Sequence, residues 1–365
     1  MTRFAYKLIF LILLIMSVGI LTIYSSTFNS SSPIERSLYL RQIIWAFLGL
    51  VCLLAISRIS YRQLWDGADI FYAIGIGLLL TVAISGFVRS GAQRWLKIFW
   101  FNFQPSELMK LIVVIYLARY FSQPSESLRQ DVENWGIIKA IGIPFIFICP
   151  SILLILKQPD LGTAIFIFFV FIAMLFVARV NFKFILLILL GVVISSPVLW
   201  HFLKDYQKTR LLVFLKPNVD PLGAGYTIIQ SKIAVASGGL FGKGWLGGSQ
   251  SQLHFLPESH TDFIFATFAE QWGLMGSLVL LLLYYLLLRL GLNVTQRASD
   301  YFGHLLASGI TLNLGISIFI NVAMIIGLAP VVGLPLPLLS YGGSSLVVTL
   351  FSLGILLNIE KRLAI

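Results

Sequence analysis

Apolar runs long enough to cross about 30 Å of hydrocarbon recur from one end of this chain to the other, and that recurrence limits the fold more than any motif does. With 58% hydrophobic against 11% charged residues, the chain reads as a polytopic membrane protein. Ten spans are expected, near residues 8–25, 42–57, 70–87, 106–121, 136–156, 162–178, 183–203, 263–290, 303–327 and 344–359. A spanning backbone must pair its own polar groups, so the expected class is all-α. The expectation is a single transmembrane domain over 1–365 with one large hydrophilic loop at about 204–261, between the seventh and eighth spans. Arg3 and Lys7 precede the first run and no convincing small-residue cleavage site follows it, so it reads as a retained helix.

An even number of spans leaves both termini on one side, expected to be cytoplasmic. The 26 Lys and Arg, Arg129 among them, then divide evenly between the two sides, without the usual inside excess. On the outer side, Lys204, Lys208, Arg210, Lys216, Lys232 and Lys243 lie in the long loop, and Arg89, Arg94 and Lys97 lie between the third and fourth spans. Two explanations stand: long loops translocate with little regard to charge, or this surface meets anionic headgroups or a phosphate-bearing substrate. The net charge of +11 is scattered over loops with no compact basic domain, which argues against nucleic acid. Cys52 and Cys149 sit in apolar spans and offer neither a disulfide framework nor metal-ligand spacing.

Two outer segments carry composition of their own. Gly91 to Gln104, GAQRWLKIFWFNFQ, interleaves aromatic residues with Arg94 and Lys97, as a segment lying among lipid headgroups does. In the long loop, Tyr226 to Ala236 predicts an interfacial helix with Ile229, Ile233 and Ala236 on one stripe. The glycines from Gly238 to Gly248 lack the Lys and Ser or Thr pattern of a phosphate loop, so nucleotide binding is not read from them. Pro144, Pro150 and Pro197 read as kinks within spans.

The residues able to do chemistry gather at boundaries. In LHFLPESHTDFIFATFA, Leu253 to Ala269, Asp262 stands against the eighth apolar run, where a carboxylate is costly to desolvate. It reads either as a first-turn acid favoured by the helix dipole or as a general base able to reach a substrate whose lipid tail stays in the bilayer. Glu258, His260 and Asp262 alternate, so an extended segment would put them on one face, where a divalent cation such as Mg or Mn is a candidate ligand. Glu107 and Lys110 stand at i and i+3, as a structural ion pair or as a phosphate-binding pair at a cavity mouth. Asp160 after Pro159 reads as a helix cap or as a site acid. Ser340 to Ser345, SYGGSS, offers backbone N–H groups to an anion or small residues for close helix packing.

Taken in order, GAQRW (91–95), FQPSELMK (103–110), KQPDLGTA (157–164), YQKTRLLVFLKP (206–217), GAGYTIIQSKIAVASGG (223–239), LPESHTDFIFA (256–266) and GLPLPLLSYGGSS (333–345) closely resemble the SEDS family, named for shape, elongation, division and sporulation. GLPLPLLSYGGSS looks like the elongation branch more than the division branch. The resemblance implies a peptidoglycan glycosyltransferase in the cytoplasmic (inner) membrane that polymerises lipid II on the outer face. It also implies contact with undecaprenyl-linked glycan and membrane lipids, and a class B penicillin-binding protein as crosslinking partner. By the same resemblance Asp262 matches the family's essential acid, and Glu107, Lys110 and Asp160 match its polar cavity residues. The leaving pyrophosphate then needs its charge met, a task expected of Lys110, Arg94, Arg210 or a divalent cation. A lipid II flippase and a noncatalytic scaffold for the penicillin-binding protein are the other functions these residues would serve.

Overall fold

The computed structural model describes residues 3–89, 92–98, 101–123, 135–216, 219–221, 223–253 and 255–362. Gly91, Arg129, Pro217 and His254, named in the segments above, lie outside the described residues.

Each expected span coincides with a helix. They are α1 (Arg3–Thr27), α3 (Leu38–Ile56), α5 (Ala68–Ser85), α6 (Pro105–Ser122), α7 (Ile143–Lys157), α8 (Leu161–Val177), α9 (Phe182–Phe202), α13 (Ile264–Arg297), α14 (Tyr301–Ile325) and α15 (Gly343–Arg362). Short helices α2 (Pro33–Arg36) and α4 (Arg62–Asp66) lie between the first three, and the long loop carries α10 (Asp205–Leu215), α11 (Ala224–Ser237) and α12 (Ser249–Gln252). Among the described residues, seven helices are long and apolar enough to cross a membrane. Of the other three, α8 and the apolar part of α9 are shorter, and α6 carries Glu107, Lys110 and Arg119. Pro150 and Pro197 are inside α7 and α9, whereas Pro144 opens α7 directly after a π-helical turn, Ile138–Gly142.

The aromatic segment after α5 is a small antiparallel sheet in the order β1 (Phe87–Arg89), β2 (Ala92–Ile98) and β3 (Phe101–Phe103). Phe87 pairs with Trp95 and Leu96 with Phe103, with a bulge between Phe87 and Val88. Aromatic and β-branched content suits a pleated surface, the form this segment takes. Gln104 leaves β3 in an extended conformation and Pro105 starts α6, where its missing N–H costs nothing.

Contacts divide the chain into two compact units. The first is Met1–Gly49, Leu203–Arg289 and Ser317–Leu346; the second is Leu50–Phe202, Leu290–Ile316 and Val347–Ile365. In the second unit α6 is buried on every side from Met109 to Ala118, as a helix without a polar stripe must be. Gly75 of α5 lets Met109 and Ile112 approach, and Gly309 admits Val114 and Met174.

In the first unit α13 is broken. Gly273 has φ 64° and ψ −163°, outside any helix. The backbone groups set free are paired by the Gly-rich loop ahead of it: Lys243 N–H donates to the Glu270 carbonyl (3.0 Å) and Gly244 N–H to that of Gln271 (3.0 Å). In return Leu274 and Met275 N–H donate to Gly239 and Leu240 (2.9 and 3.0 Å). Gly238 and Gly242 are needed for the approach, since a Cβ would lie 2.2 Å from the Ala269 carbonyl oxygen and 2.1 Å from that of Gln271. A continuous eighth span is thus corrected to two stacked pieces.

Gly242 and Gly244 separate conformation from contact, because both have positive φ but a Cβ at Gly244 meets nothing within 4 Å. Gly244→Ala is expected to cost about 1 kcal/mol. Gly242→Ala adds a backbone clash and is expected to cost about 3 kcal/mol. Melting of the two variants in detergent checks the order.

Candidate functional site

In the second unit, the first turn of α6 presents Glu107 and Lys110, with Lys110 Nζ 2.8 Å from Glu107 Oε1 and both side chains less than a tenth exposed. Lys110 Nζ also stands 4.9 Å from the centroid of the Phe166 ring. Two desolvated charges without each other would be costly, so each fixes the other's rotamer. At the start of α8, Asp160 is the cap: Thr163 N–H donates to Oδ1 (3.2 Å) and Thr163 Oγ1 to Oδ2 (2.9 Å). Arg94 reaches from β2 onto this turn, 3.7 Å from Asp160 Oδ1, donating to the carbonyls of Gln158 (3.3 Å) and Pro159. Gln158 donates to the Leu79 carbonyl of α5 (2.9 Å). The expected pair Glu107–Lys110 is therefore formed within the first turn of α6, and Arg94 pairs with Asp160, a contact that spacing along the chain did not announce.

In the first unit, Asp262 lies two residues ahead of α13, in a run of turns. Three anchors hold this run. Asn321 of α14 donates Nδ2 to the Asp262 carbonyl (3.0 Å) and to that of Leu334 (2.7 Å). Ser340 Oγ donates to the Thr261 carbonyl (2.7 Å), and Tyr341 N–H to the His260 carbonyl (2.9 Å). The Asp262 carboxylate lies over Gly333, whose added Cβ would stand 3.3 Å from Oδ2 at a φ of +69°. Arg210 of α10 donates to the Val331 carbonyl (3.4 Å), two residues from Gly333.

One expectation is corrected and two are made more definite. The 258–262 segment is turned instead of extended: Glu258 has φ 50° and its Oε2 accepts from Thr261 Oγ1 (3.0 Å). The alternation that would have aligned Glu258, His260 and Asp262 is lost. Among the described residues no three His, Cys, Asp or Glu side chains are grouped as metal ligands, so this donor set does not fit a divalent cation. Ser340 to Ser345 serves packing: Gly342 N–H is taken by Gln42 Oε1 (3.3 Å), and Gly343 lies against Trp45. On α11 the buried face is Ile228, Ser231 and Ala234, while Ile233 and Ala236 of the predicted stripe are exposed.

Glu270 is a further buried acid, one that composition does not single out. It is fully buried in the upper part of α13 and gathers the Gly-rich loop around it. Lys243 Nζ (3.0 Å), Gln250 N–H (2.9 Å), Ser251 N–H (3.2 Å) and the hydroxyls of Ser249 and Ser251 (both 3.3 Å) all donate to its carboxylate. The same loop reaches α1 through Gln252, which donates to the Ser25 carbonyl (2.7 Å). An acid inside an apolar run is itself a signal of function or of a buried network, and FATFAEQWG carried that signal.

The family model described as cell cycle protein, covering FtsW, RodA and SpoVE, matches residues 6–364. The chain is 43% identical to peptidoglycan glycosyltransferase MrdB of Escherichia coli K12, over 97% of this chain and 92% of that protein. It is 34% identical to peptidoglycan glycosyltransferase RodA of Treponema pallidum, over 98% of each. Among solved structures it is similar to a chain of a peptidoglycan synthase complex described as coordinating polymerization and crosslinking (TM-score 0.82, 30% identity, 98% of each chain). A crystal structure of an Asp-to-Ala variant of Thermus thermophilus RodA is also similar (TM-score 0.72, 29% identity, 98% of this chain and 97% of that one).

Removing one member of the Glu107–Lys110 pair leaves a buried charge alone. Glu107→Ala and Lys110→Ala are each expected to lose about 3–5 kcal/mol, and the double variant Glu107→Leu/Lys110→Met less than either. A double-mutant cycle read by melting checks this.

Proposed function

Because this chain belongs to the FtsW, RodA and SpoVE family of cell cycle proteins, we propose that it polymerises lipid II into glycan strands on the outer face of the cytoplasmic membrane during cell elongation. It is a membrane protein and a peptidoglycan glycosyltransferase, with a role in cell shape. Both termini are cytoplasmic in this reading, and the 204–261 loop is extracytoplasmic.

Lipid II holds its sugar through an α-linked pyrophosphate, whereas glycan strands are β-1,4-linked, so a single displacement inverts the anomeric carbon. The acceptor 4-hydroxyl oxygen forms the new bond to that carbon. The carbon–oxygen bond to the diphosphate breaks, its electron pair leaves with the undecaprenyl diphosphate, and the hydroxyl proton passes to Asp262. A general base of this kind contributes roughly 10²–10⁴-fold. Asp262 is suited to it because its main chain is fixed by Asn321 and by the pinned Thr261 carbonyl while its carboxylate stands over a glycine. That preorganisation is the observation that carries the assignment.

Glu107, Lys110, Asp160 and Arg94 of the second unit and Arg210 of the first are assigned to substrate binding. Lys110, Arg94 or Arg210 suits the charge that develops on the leaving diphosphate. A class B penicillin-binding protein supplies crosslinking, in keeping with the synthase complex to which the chain is similar.

Asp262→Asn, purified with its penicillin-binding partner and given lipid II, is expected to make glycan chains at least 10²-fold more slowly than wild type, with melting unchanged. Product ladders on a gel read the result; ladders of equal intensity would remove Asp262 from catalysis.

A further inference from the structure

Away from these residues, the second unit holds an open cavity of about 800 Å³ between the α8–α9 turn and the facing parts of α13 and α14. It lies at the end of the unit where Arg297 meets Glu360 of α15 (3.6 Å). Its lining combines polar and basic side chains, Arg179, Asn181 and His304, with apolar ones, Phe176, Leu292 and Leu312. Phe176 and Leu292 are half or more exposed, so the apolar part of the lining is open to the surroundings of the helices. Among the described residues no acidic side chain lines the cavity.

Arg179 sits there at a conformational cost. Helix α8 ends in a Schellman turn, with Val180 N–H donating to the Leu175 carbonyl (3.0 Å) and Arg179 N–H to that of Phe176 (3.1 Å). The residue at the turn, Arg179, has φ 57°, the left-handed conformation that glycine adopts without penalty. A cation near a helix C-terminus is favoured by the dipole, but Lys or Arg one turn earlier would gain that without strain. Strain retained at one residue is a pointer to what its side chain does. The turn is held in place: Tyr301 donates to the Ala178 carbonyl (3.4 Å), and the His304 ring is fixed by Nδ1 at 2.9 Å from the Thr295 carbonyl.

We propose that this cavity binds one anionic phospholipid of the surrounding membrane, its phosphate against Arg179, Asn181 and His304 and one acyl chain along Phe176, Leu292 and Leu312. Basic pockets between helices at a membrane face select such headgroups, and a lipid meets the charged and the apolar parts of this lining with one molecule.

The test is native mass spectrometry of the full-length protein in detergent, titrated with phosphatidylglycerol, with phosphatidylcholine, and with phosphatidylglycerol in the presence of inorganic phosphate. Wild type is expected to take up one phosphatidylglycerol in a saturable step, about fivefold tighter than phosphatidylcholine, as one basic residue at an anionic surface supplies. Arg179→Gly relieves the strained turn, so it is expected to melt no lower than wild type yet to lose the preference. Leu292→Trp fills the apolar side and is expected to weaken both lipids. Equal binding of the two lipids, or a preference that survives both substitutions, would overturn the proposal. Displacement by millimolar phosphate would overturn it too, assigning the cavity to a soluble anion.

Discussion

The break in α13 is the constraint on which the first unit depends. A backbone group in hydrocarbon has no water to fall back on, so a spanning helix interrupted at Gly273 persists only if other main-chain groups replace the lost partners. The Gly-rich loop does this with four backbone hydrogen bonds, and Gly238 and Gly242 are there because nothing with a Cβ fits against the Ala269 and Gln271 carbonyls. Glu270 adds the side-chain half of the same joint: its carboxylate accepts from the loop's N–H groups, hydroxyls and one ammonium. The upper piece of α13 and the loop are in effect one body. Asp262 stands at the head of that piece.

The two groups of polar residues use charge differently. Glu107 and Lys110 are buried together, and their attraction mainly offsets desolvation that neither would survive alone. Asp160 divides its oxygens between a helix cap and Arg94, so its carboxylate is held by two donors of Thr163 and by the nearby guanidinium. Asp262 is held through its carbonyl and the neighbouring main chain, which fixes where its carboxylate stands.

Hydropathy alone made the helices legible, because the membrane requirement acts on every residue of a span. The pairs Glu107–Lys110 and Arg94–Asp160 were half legible: i, i+3 spacing and a Pro-Asp helix start announce the first partner of each, but Arg94 comes from a strand that composition had read as a headgroup segment. Asp262 stood out by its place against an apolar run, and its role came from ordered motifs. What stayed hidden was the break at Gly273 and the part Glu270 plays. A glycine in an apolar run has many uses, and its backbone angle is set by a loop some thirty residues earlier in the chain, a tertiary fact with no local period. Glu258, His260 and Asp262 failed as a metal set for the same reason: alternation has meaning only in an extended chain, and Glu258 adopts a positive φ.

The order in which these contacts come within reach along the chain differs sharply. The loop that closes over the break precedes α13 directly, so the closure is a short-range event, available as soon as the helix itself has been made. The anchors of the Asp262 turn are distant: Asn321 is separated from it by 59 residues, and Ser340 from Thr261 by 79. During synthesis the joint can therefore be complete while the turn is still loose, and the Asp262 carboxylate acquires its final position only after α14 and the Pro-rich stretch beyond it have emerged. An incomplete chain would thus carry a folded Gly-rich loop and an unaimed carboxylate.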